Sequence, residues 1–527
     1  MARSLLLIFT CCFLWQCTDT EPPRGGLKGV PDSYEALEQF FLDWQATLEP
    51  PLLDGVPDYR ETTMQAQYRD LSRWKKRLEA MAISDWPVSQ QVDWYVVWSD
   101  MNAMVFAHRV KKPWQRDPAF YIWYADATAD PHATLTPRAR GSITLDKPAT
   151  ELSAEEARTM AQQLSRAAPL WAQARTNLTG NARDLWLLGE QAFRRQTDAL
   201  HNLADGAANR FPALATAARN AASESETFAD WLLAEADQKD APSGVGELEY
   251  TWNLRNVHLL PYTWEDEKLL VEREIAQALS RLRLEQDRNR DLPEWTGADW
   301  SDTFAELSGD FLRYLDQEGI RPASEADSIV RNPTSGTTAS LRPWMQLAGQ
   351  RNTPELSTIR QAHLANTLYD ARVPSGMEEF LLQTALEHKS PRSRELAWML
   401  LAQRAARAYG ALQQHGLLMD HATATRISAK WMPSRLREQT NEGDLAQLEH
   451  RYLQQAGLGT SYVIGRLEVE RLLAVYAQDL DEPFSLRDFV RAFDRSGQIP
   501  ISLIYWEMTG DKSMLNAALE GVDISPS

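Results

Sequence analysis

Cysteine is nearly absent from this sequence of 527 residues, which has three, at positions 11, 12 and 17. If a leader is removed before Cys17, no other cysteine remains in the chain. The body of the protein then has no thiol for a disulfide, a catalytic nucleophile or a thiolate metal site. Glycine is sparse as well, and none of the 25 glycines is clustered as in phosphate-binding loops or dinucleotide-binding turns. The sequence therefore disfavours thiol chemistry and nucleotide chemistry.

Basic residues are too few for a nucleic-acid binder, since 55 Lys and Arg stand against 73 Asp and Glu, a net charge of −18. The mean hydropathy of −0.45 excludes a protein with many membrane spans. What the chain does have is apolar material, with 43% hydrophobic residues and 19 Trp. That composition predicts a large folded interior rather than a disordered chain.

The amino end has the pattern of an export signal. A short basic start is followed by mostly apolar residues up to Trp15, too few to span a bilayer. We interpret residues 1–17 as a lipoprotein-type signal segment with Cys17 as the lipid anchor, and residues 18–31 as a tether. A cleaved, secreted chain is the alternative, because Gln16 and Trp15 are bulkier than the usual residues at these positions. We expect an exported protein at the periplasmic face of the cell envelope, or a secreted one, with membrane contact only through Cys17.

Apolar residues recur at three-to-four spacing beyond residue 32, which predicts a mainly α, multi-helix body with few or no strands. We divide it into an N-terminal helical part (32–240) and a C-terminal helical part (241–527). Ile143–Leu145 is a candidate strand. Helix starts are predicted after Ser153, Thr263, Thr353 and Ser390, and the clearest breaks at 126–150, 239–246 and 319–343.

His363 is the first candidate for chemistry, because on a continuous helix it shares a flank with Asn366 and Asp370 at the edge of an apolar stripe. One interpretation is a metal ligand. The other is a packing histidine that hydrogen-bonds to one of those neighbours.

Two acidic residues, Glu378 and Glu379, follow a Pro-Ser-Gly sequence at 374–376 that predicts a turn, so they are expected to open a new helix. Acidic side chains at a helix N-terminus are favoured by the helix dipole alone. A catalytic acid/base or metal-binding role is the alternative.

Two arginines, Arg404 and Arg407, interrupt an apolar helix, and His415 follows. A buried guanidinium requires a carboxylate partner. That partner is either an internal glutamate such as Glu378 or Glu379, or the carboxylate of a peptide-like substrate.

These residues resemble a family of large, helical, exported bacterial proteins, the domain of unknown function 885, whose fold is related to zinc carboxypeptidases and the angiotensin-converting-enzyme group. The segments that carry the resemblance are Arg404–Arg407 with His415, Gly459–Arg466, Phe484–Phe489, Gly497–Pro500 and Arg116–Tyr121. The resemblance implies that Tyr462 and Arg466 face a reacting carbonyl, as catalytic residues beside Glu378 and Glu379. Arg404, Arg407 and His415 are then the substrate-binding residues.

The family's zinc motif, His-Glu-x-x-Pro-Gly-His, is missing here. If His363 stands for the leading histidine, Leu364 occupies the place of the catalytic glutamate; if it stands for the trailing one, the leading histidine is lost. Zinc is therefore a possible cofactor that no standard motif supports, with His363 as its candidate ligand. Two functions stay open: a metallopeptidase-like hydrolase with a rearranged site, or an inactive relative that binds peptides or cell-envelope fragments in a helical groove. A purely structural envelope protein is the third interpretation.

Overall fold

The protein is mainly helical, as the sequence predicts. The computed structural model describes residues 33–128, 137–293, 311, 313–320, 356–363, 372–387, 391–432, 442–478, 480 and 483–521. The first ten α-helices are α1 Tyr34–Ala46, α2 Glu61–Glu79, α3 Val88–Phe106, α4 Pro113–Arg116, α5 Ala154–Leu164, α6 Ala167–Asn177, α7 Arg183–Ala207, α8 Pro212–Ala236, α9 Glu247–Asn256 and α10 Trp264–Arg288. Nine more are α11 Thr358–Ala362, α12 Arg372–Glu387, α13 Pro391–His415, α14 His421–Trp431, α15 Glu442–Gln454, α16 Ser461–Gln478, α17 Leu486–Ser496, α18 Ile501–Thr509 and α19 Ser513–Leu519.

Strands are few and short in the described residues. Leu52–Leu53 (β1) pairs antiparallel with Val56–Pro57 (β2). Tyr124–Asp126 (β3) pairs parallel with Ile143–Leu145 (β4). The strand predicted at Ile143–Leu145 is therefore confirmed.

Local sequence signals set several helix starts. Ser153 and Thr263 each cap a helix by accepting a hydrogen bond from the third residue, whose carboxylate bonds back to the cap. Both predicted starts are confirmed. A helix also begins at Pro391, next to Ser390, while Thr353 lies outside the described residues. No helix in the described part of the chain is both long and apolar enough to cross a bilayer.

Two hydrophobic cores organise these helices. The smaller core is built from residues 114–236 together with Val56, Tyr59 and Met64. The larger core joins most of the buried residues of α1 to α3 with the helices from α9 onward. The chain therefore contributes to the larger core both before and after it builds the smaller one. The smaller core ends at Ala236, close to the division predicted at residue 240. The division into two parts itself stays a prediction.

Helices α12 and α16 cross at two glycines. A Cβ on Gly376 would lie 2.3 Å from the carbonyl carbon of Gly465, and one on Gly465 would lie 2.3 Å from the carbonyl oxygen of Arg372. The two backbones are thus in direct contact, which only glycine allows. This crossing brings Glu378 of α12 close to Tyr462 of α16.

Candidate functional site

Four of the residues predicted to be functional do meet, at the junction of α12, α13 and α16. Arg404 forms ion pairs with Glu379 and, at 3.5 Å, with Glu378. Its guanidinium lies over the ring of Tyr462, 4.0 Å from the ring centroid. Gln383 also donates to Glu379, at 2.8 Å. The internal ion pair was one of the two alternatives for Arg404, and it is the one that the geometry shows.

The turn predicted at 374–376 is wrong, because α12 begins at Arg372 and runs through these residues. Proline is tolerated in a first helical turn, where its missing N–H has no helical acceptor. Glu378 and Glu379 consequently lie in the second turn of the helix, 6% and 0% exposed, and not at its solvent end.

Glu378 has a shifted titration in this cluster. Burial raises the pKa of its carboxyl group to about 7, and Arg404 only partly opposes that shift. One guanidinium serves two carboxylates here, and Glu378 receives the longer contact. Burial also raises the pKa of Tyr462. The Glu378 carboxyl group can therefore bind and release a proton near neutral pH.

Arg407 and His415 lie on the same helix as Arg404 and contact other residues. Arg407 Nε is 3.8 Å from Glu449 Oε1, and the guanidinium lies over the ring of Tyr452. Burial raises the pKa of Glu449 to about 8. His415 Nε2 donates to the Tyr452 carbonyl at 2.9 Å, and burial lowers its pKa to about 4. Both side chains are buried, 7% and 1% exposed.

Arg466 and His363 contact residues outside the Arg404 cluster. Arg466 forms ion pairs with Glu274 of α10 and Glu470 of its own helix. His363 Nε2 lies 2.6 Å from the Gln498 carbonyl, and its Nδ1 lies 3.7 Å from Asp100.

The continuous helix expected through His363 is wrong, because α11 ends at Ala362 and His363 has an extended backbone. Asn366 and Asp370 lie outside the described residues, as does Cys17. No group of three or more His, Cys, Asp or Glu side chains in the described ranges could hold a metal ion. The described neighbours of His363 do not fit zinc, and its role as a ligand stays a prediction.

Sequence reasoning missed the most buried ion pair that connects α10 and α12. Arg372 donates to Glu267 at 2.7 Å, to the Gly457 carbonyl at 3.2 Å and to Thr460 at 3.3 Å. Tyr250 donates to the same Glu267 at 2.8 Å. The partners are up to 105 residues apart in the sequence, so no local pattern announces them.

An open groove of about 900 Å³ lies elsewhere, on the smaller core, along α5, the start of α6 and the first half of α8. The small side chains of Ala157, Ala161, Ala217 and Ala221 line it together with larger apolar residues. Because these alanine side chains are small, they leave an open channel between helices α5 and α8.

Polar side chains also line this groove. Arg158 and Gln162 come from α5, and Asn220 and Glu224 come from α8. All four are exposed. Unlike the arginines of the larger core, these groups are accessible to a ligand.

Comparison with known proteins gives the fold but no family. No protein-family model matches the chain, and no curated protein is similar to it. A candidate lipoprotein of unknown function from Shewanella oneidensis has a similar structure, with a TM-score of 0.61 at 14% identity over 91% of this chain and 100% of its own. A candidate lipoprotein from Colwellia psychrerythraea has a TM-score of 0.63 at 10% identity over 93% and 100%. The resemblance to the domain of unknown function 885 receives no support from these comparisons.

The pKa shift of Glu378 predicts that stability falls with rising pH. The carboxyl group titrates ordinarily at 4.5 and at about 7 when folded, so the folded state binds the proton more tightly. Its contribution is complete below pH 4.5 and is lost as the pH rises through 7. At about 1.4 kcal/mol per pKa unit the loss is about 3 kcal/mol. Glu378→Gln should remove this loss, so that its melting temperature exceeds that of the wild type at pH 9 and not at pH 5.

The matched control for that experiment is Glu379→Gln, which takes the ion-pair partner from Arg404. It should be less stable than the wild type at both pH values, because a buried guanidinium loses its carboxylate. If Glu378→Gln and the wild type show parallel stability profiles between pH 5 and 9, Glu378 does not carry the proton.

Proposed function

We propose that this protein is an exported lipoprotein of the bacterial cell envelope that binds peptides or wall fragments in the groove along α5 and α8. The leader that ends at Cys17 supports export and lipid anchoring. The names of both structurally similar proteins, which are candidate lipoproteins, are consistent with it.

The groove itself is the observation that carries the binding function. It is of the size that small-ligand sites have in proteins, and it is open to solvent. The candidate catalytic residue Glu378 and the candidate substrate-binding residues Arg404 and Arg407 are, in contrast, largely enclosed. They are only 6%, 7% and 7% exposed, and each is engaged with a neighbouring side chain. A substrate reaches the groove without opening the larger core.

Peptides fit the polar edges of the groove. The amides of Gln162 and Asn220 each offer a donor and an acceptor, which match the C=O and N–H groups of a peptide backbone.

Filling the groove should weaken binding. Ala217→Leu places a larger side chain in the lining, and we expect tetra-alanine binding, measured by isothermal titration calorimetry, to weaken by at least about tenfold. Ala234→Leu is the matched control, since Ala234 is an exposed alanine of the same helix outside the groove. Equal binding by the wild type and Ala217→Leu would place the peptide elsewhere.

If Cys17 carries a lipid anchor, replacing this residue should change the fraction of the envelope in which the protein is found. Cys17→Ser removes the thiol that would carry the lipid, so the protein should move from the membrane fraction to the soluble fraction of the envelope. Retention of the variant in the membrane fraction would refute the anchor at Cys17.

A peptidase-like hydrolase at the Glu378, Glu379, Tyr462 and Arg466 positions is the second candidate. The observation that favours it is the Glu378 carboxyl group, whose pKa of about 7 suits a general acid or base. Arg404, Arg407 and His415 would bind the substrate. Release of alanine from tetra-alanine by the wild type, lost in Glu378→Gln, would establish it.

A further inference from the structure

Building on the proposed function, we propose that the groove recognises free peptides of about three or four residues by their two charged ends. In this arrangement Arg158 binds the terminal carboxylate and Glu224 binds the terminal amine.

The two charges lie on different helices and have opposite signs. Arg158 projects from α5 and Glu224 from α8, and both line the groove. Neither side chain makes a hydrogen bond or an ion pair with another described residue. Elsewhere on the same core arginines are engaged, as Arg194 is with Glu190 and Asp230. A guanidinium and a carboxylate open to the same groove match a ligand that carries one charge of each sign.

The distance between the charges follows from how the helices are aligned. Arg210, just before α8, donates to the carbonyl of Thr150, just before α5, so both helices start at the same end of the groove. Arg158 lies four residues into α5 and Glu224 twelve residues into α8. At 1.5 Å per residue the backbone positions of these two residues are offset by about 12 Å along the groove.

That offset fixes the ligand length. An extended peptide advances about 3.4 Å per residue, so about three to four residues span 12 Å. Gln162 and Asn220 line the groove as well and can bind the peptide backbone. The methyl groups of Ala157, Ala161, Ala217 and Ala221 line the groove, so alanine side chains of a peptide can pack against them.

Titration calorimetry of the full-length protein with alanine peptides tests this inference. We expect tri-alanine and tetra-alanine to bind about tenfold more tightly than their N-acetylated or C-amidated forms, and more tightly than di-alanine. Arg158→Gln should lose the preference for a free carboxylate, and Glu224→Gln the preference for a free amine. Arg219→Gln and Glu226→Gln, exposed residues of α8 outside the groove, should behave as the wild type.

The outcomes separate the two proposals. Groove-dependent binding that is equally strong for blocked and free peptides would overturn recognition of the ends and leave the binding function intact. Absence of binding by every peptide, with the wild type and Ala217→Leu alike, would overturn both. A loss of preference in Arg219→Gln equal to that in Arg158→Gln would show a general effect of surface charge and would also overturn the inference.

Discussion

Gly376→Ala should destabilise the protein by about 3 kcal/mol or more. The added Cβ would lie 2.3 Å from the carbonyl carbon of Gly465 and 2.6 Å from its oxygen, both backbone atoms that no rotamer change can move. Helices α12 and α16 would have to separate, and the contact between Arg404 and Tyr462 would be disturbed with them. Thermal unfolding followed by circular dichroism measures the effect.

The control for this substitution is Gly206→Ala, near the end of α7. Its Cβ would meet the Cβ of Ala149 at 3.4 Å, an ordinary contact, and alanine is the better helix former. We expect a change between zero and about 1 kcal/mol of stabilisation. A Gly376→Ala protein as stable as Gly206→Ala would show that the two helices do not cross at these glycines.

Arg372→Met should cost about 3 to 5 kcal/mol, because it leaves the carboxylate of Glu267 buried without its cation. Both side chains are almost fully enclosed, at 2% and 0% exposure. Tyr250 would still donate to Glu267, but a hydroxyl does not neutralise the charge. Chemical denaturation of the purified variant gives the free energy of unfolding.

Two further variants test whether the unpaired charge of Glu267 causes this loss of stability. Arg372→Met combined with Glu267→Gln should recover part of the loss, since no buried charge then remains unpaired. Arg73→Met removes an ion pair with Asp70 at the surface, 70% and 56% exposed, and should change stability by less than about 1 kcal/mol. Equal losses in Arg372→Met and Arg73→Met would contradict the structural importance of the buried pair.

Local signals in the sequence predicted local structure well. The caps at Ser153 and Thr263 depend on side chains three residues apart, and the strand at Ile143–Leu145 is a short Ile-Thr-Leu stretch, so neighbouring residues suffice. The arginines of α13 were recognisable because a charge in an apolar helix requires a partner.

Partners distant in the sequence were not predictable. Arg466 pairs with Glu274, 192 residues earlier in the sequence. The prediction that Arg466 faces a reacting carbonyl came from a family resemblance, which contains no information on this contact. The turn predicted at 374–376 failed because proline and glycine are also compatible with a helix start and a close helix crossing. The groove arises from the relative placement of α5 and α8, which a one-dimensional pattern of alanines does not specify.

Peptide binding by two variants tests whether the peptide site is the groove or the buried cluster of the larger core. Ala217→Leu fills the groove, and Glu378→Gln alters the buried cluster with a neutral side chain of the same size. Titrated with tetra-alanine, Glu378→Gln should bind as the wild type does, and Ala217→Leu should bind at least about tenfold more weakly. Loss of binding in Glu378→Gln with full binding in Ala217→Leu would contradict the account and place the site at α12 and α13.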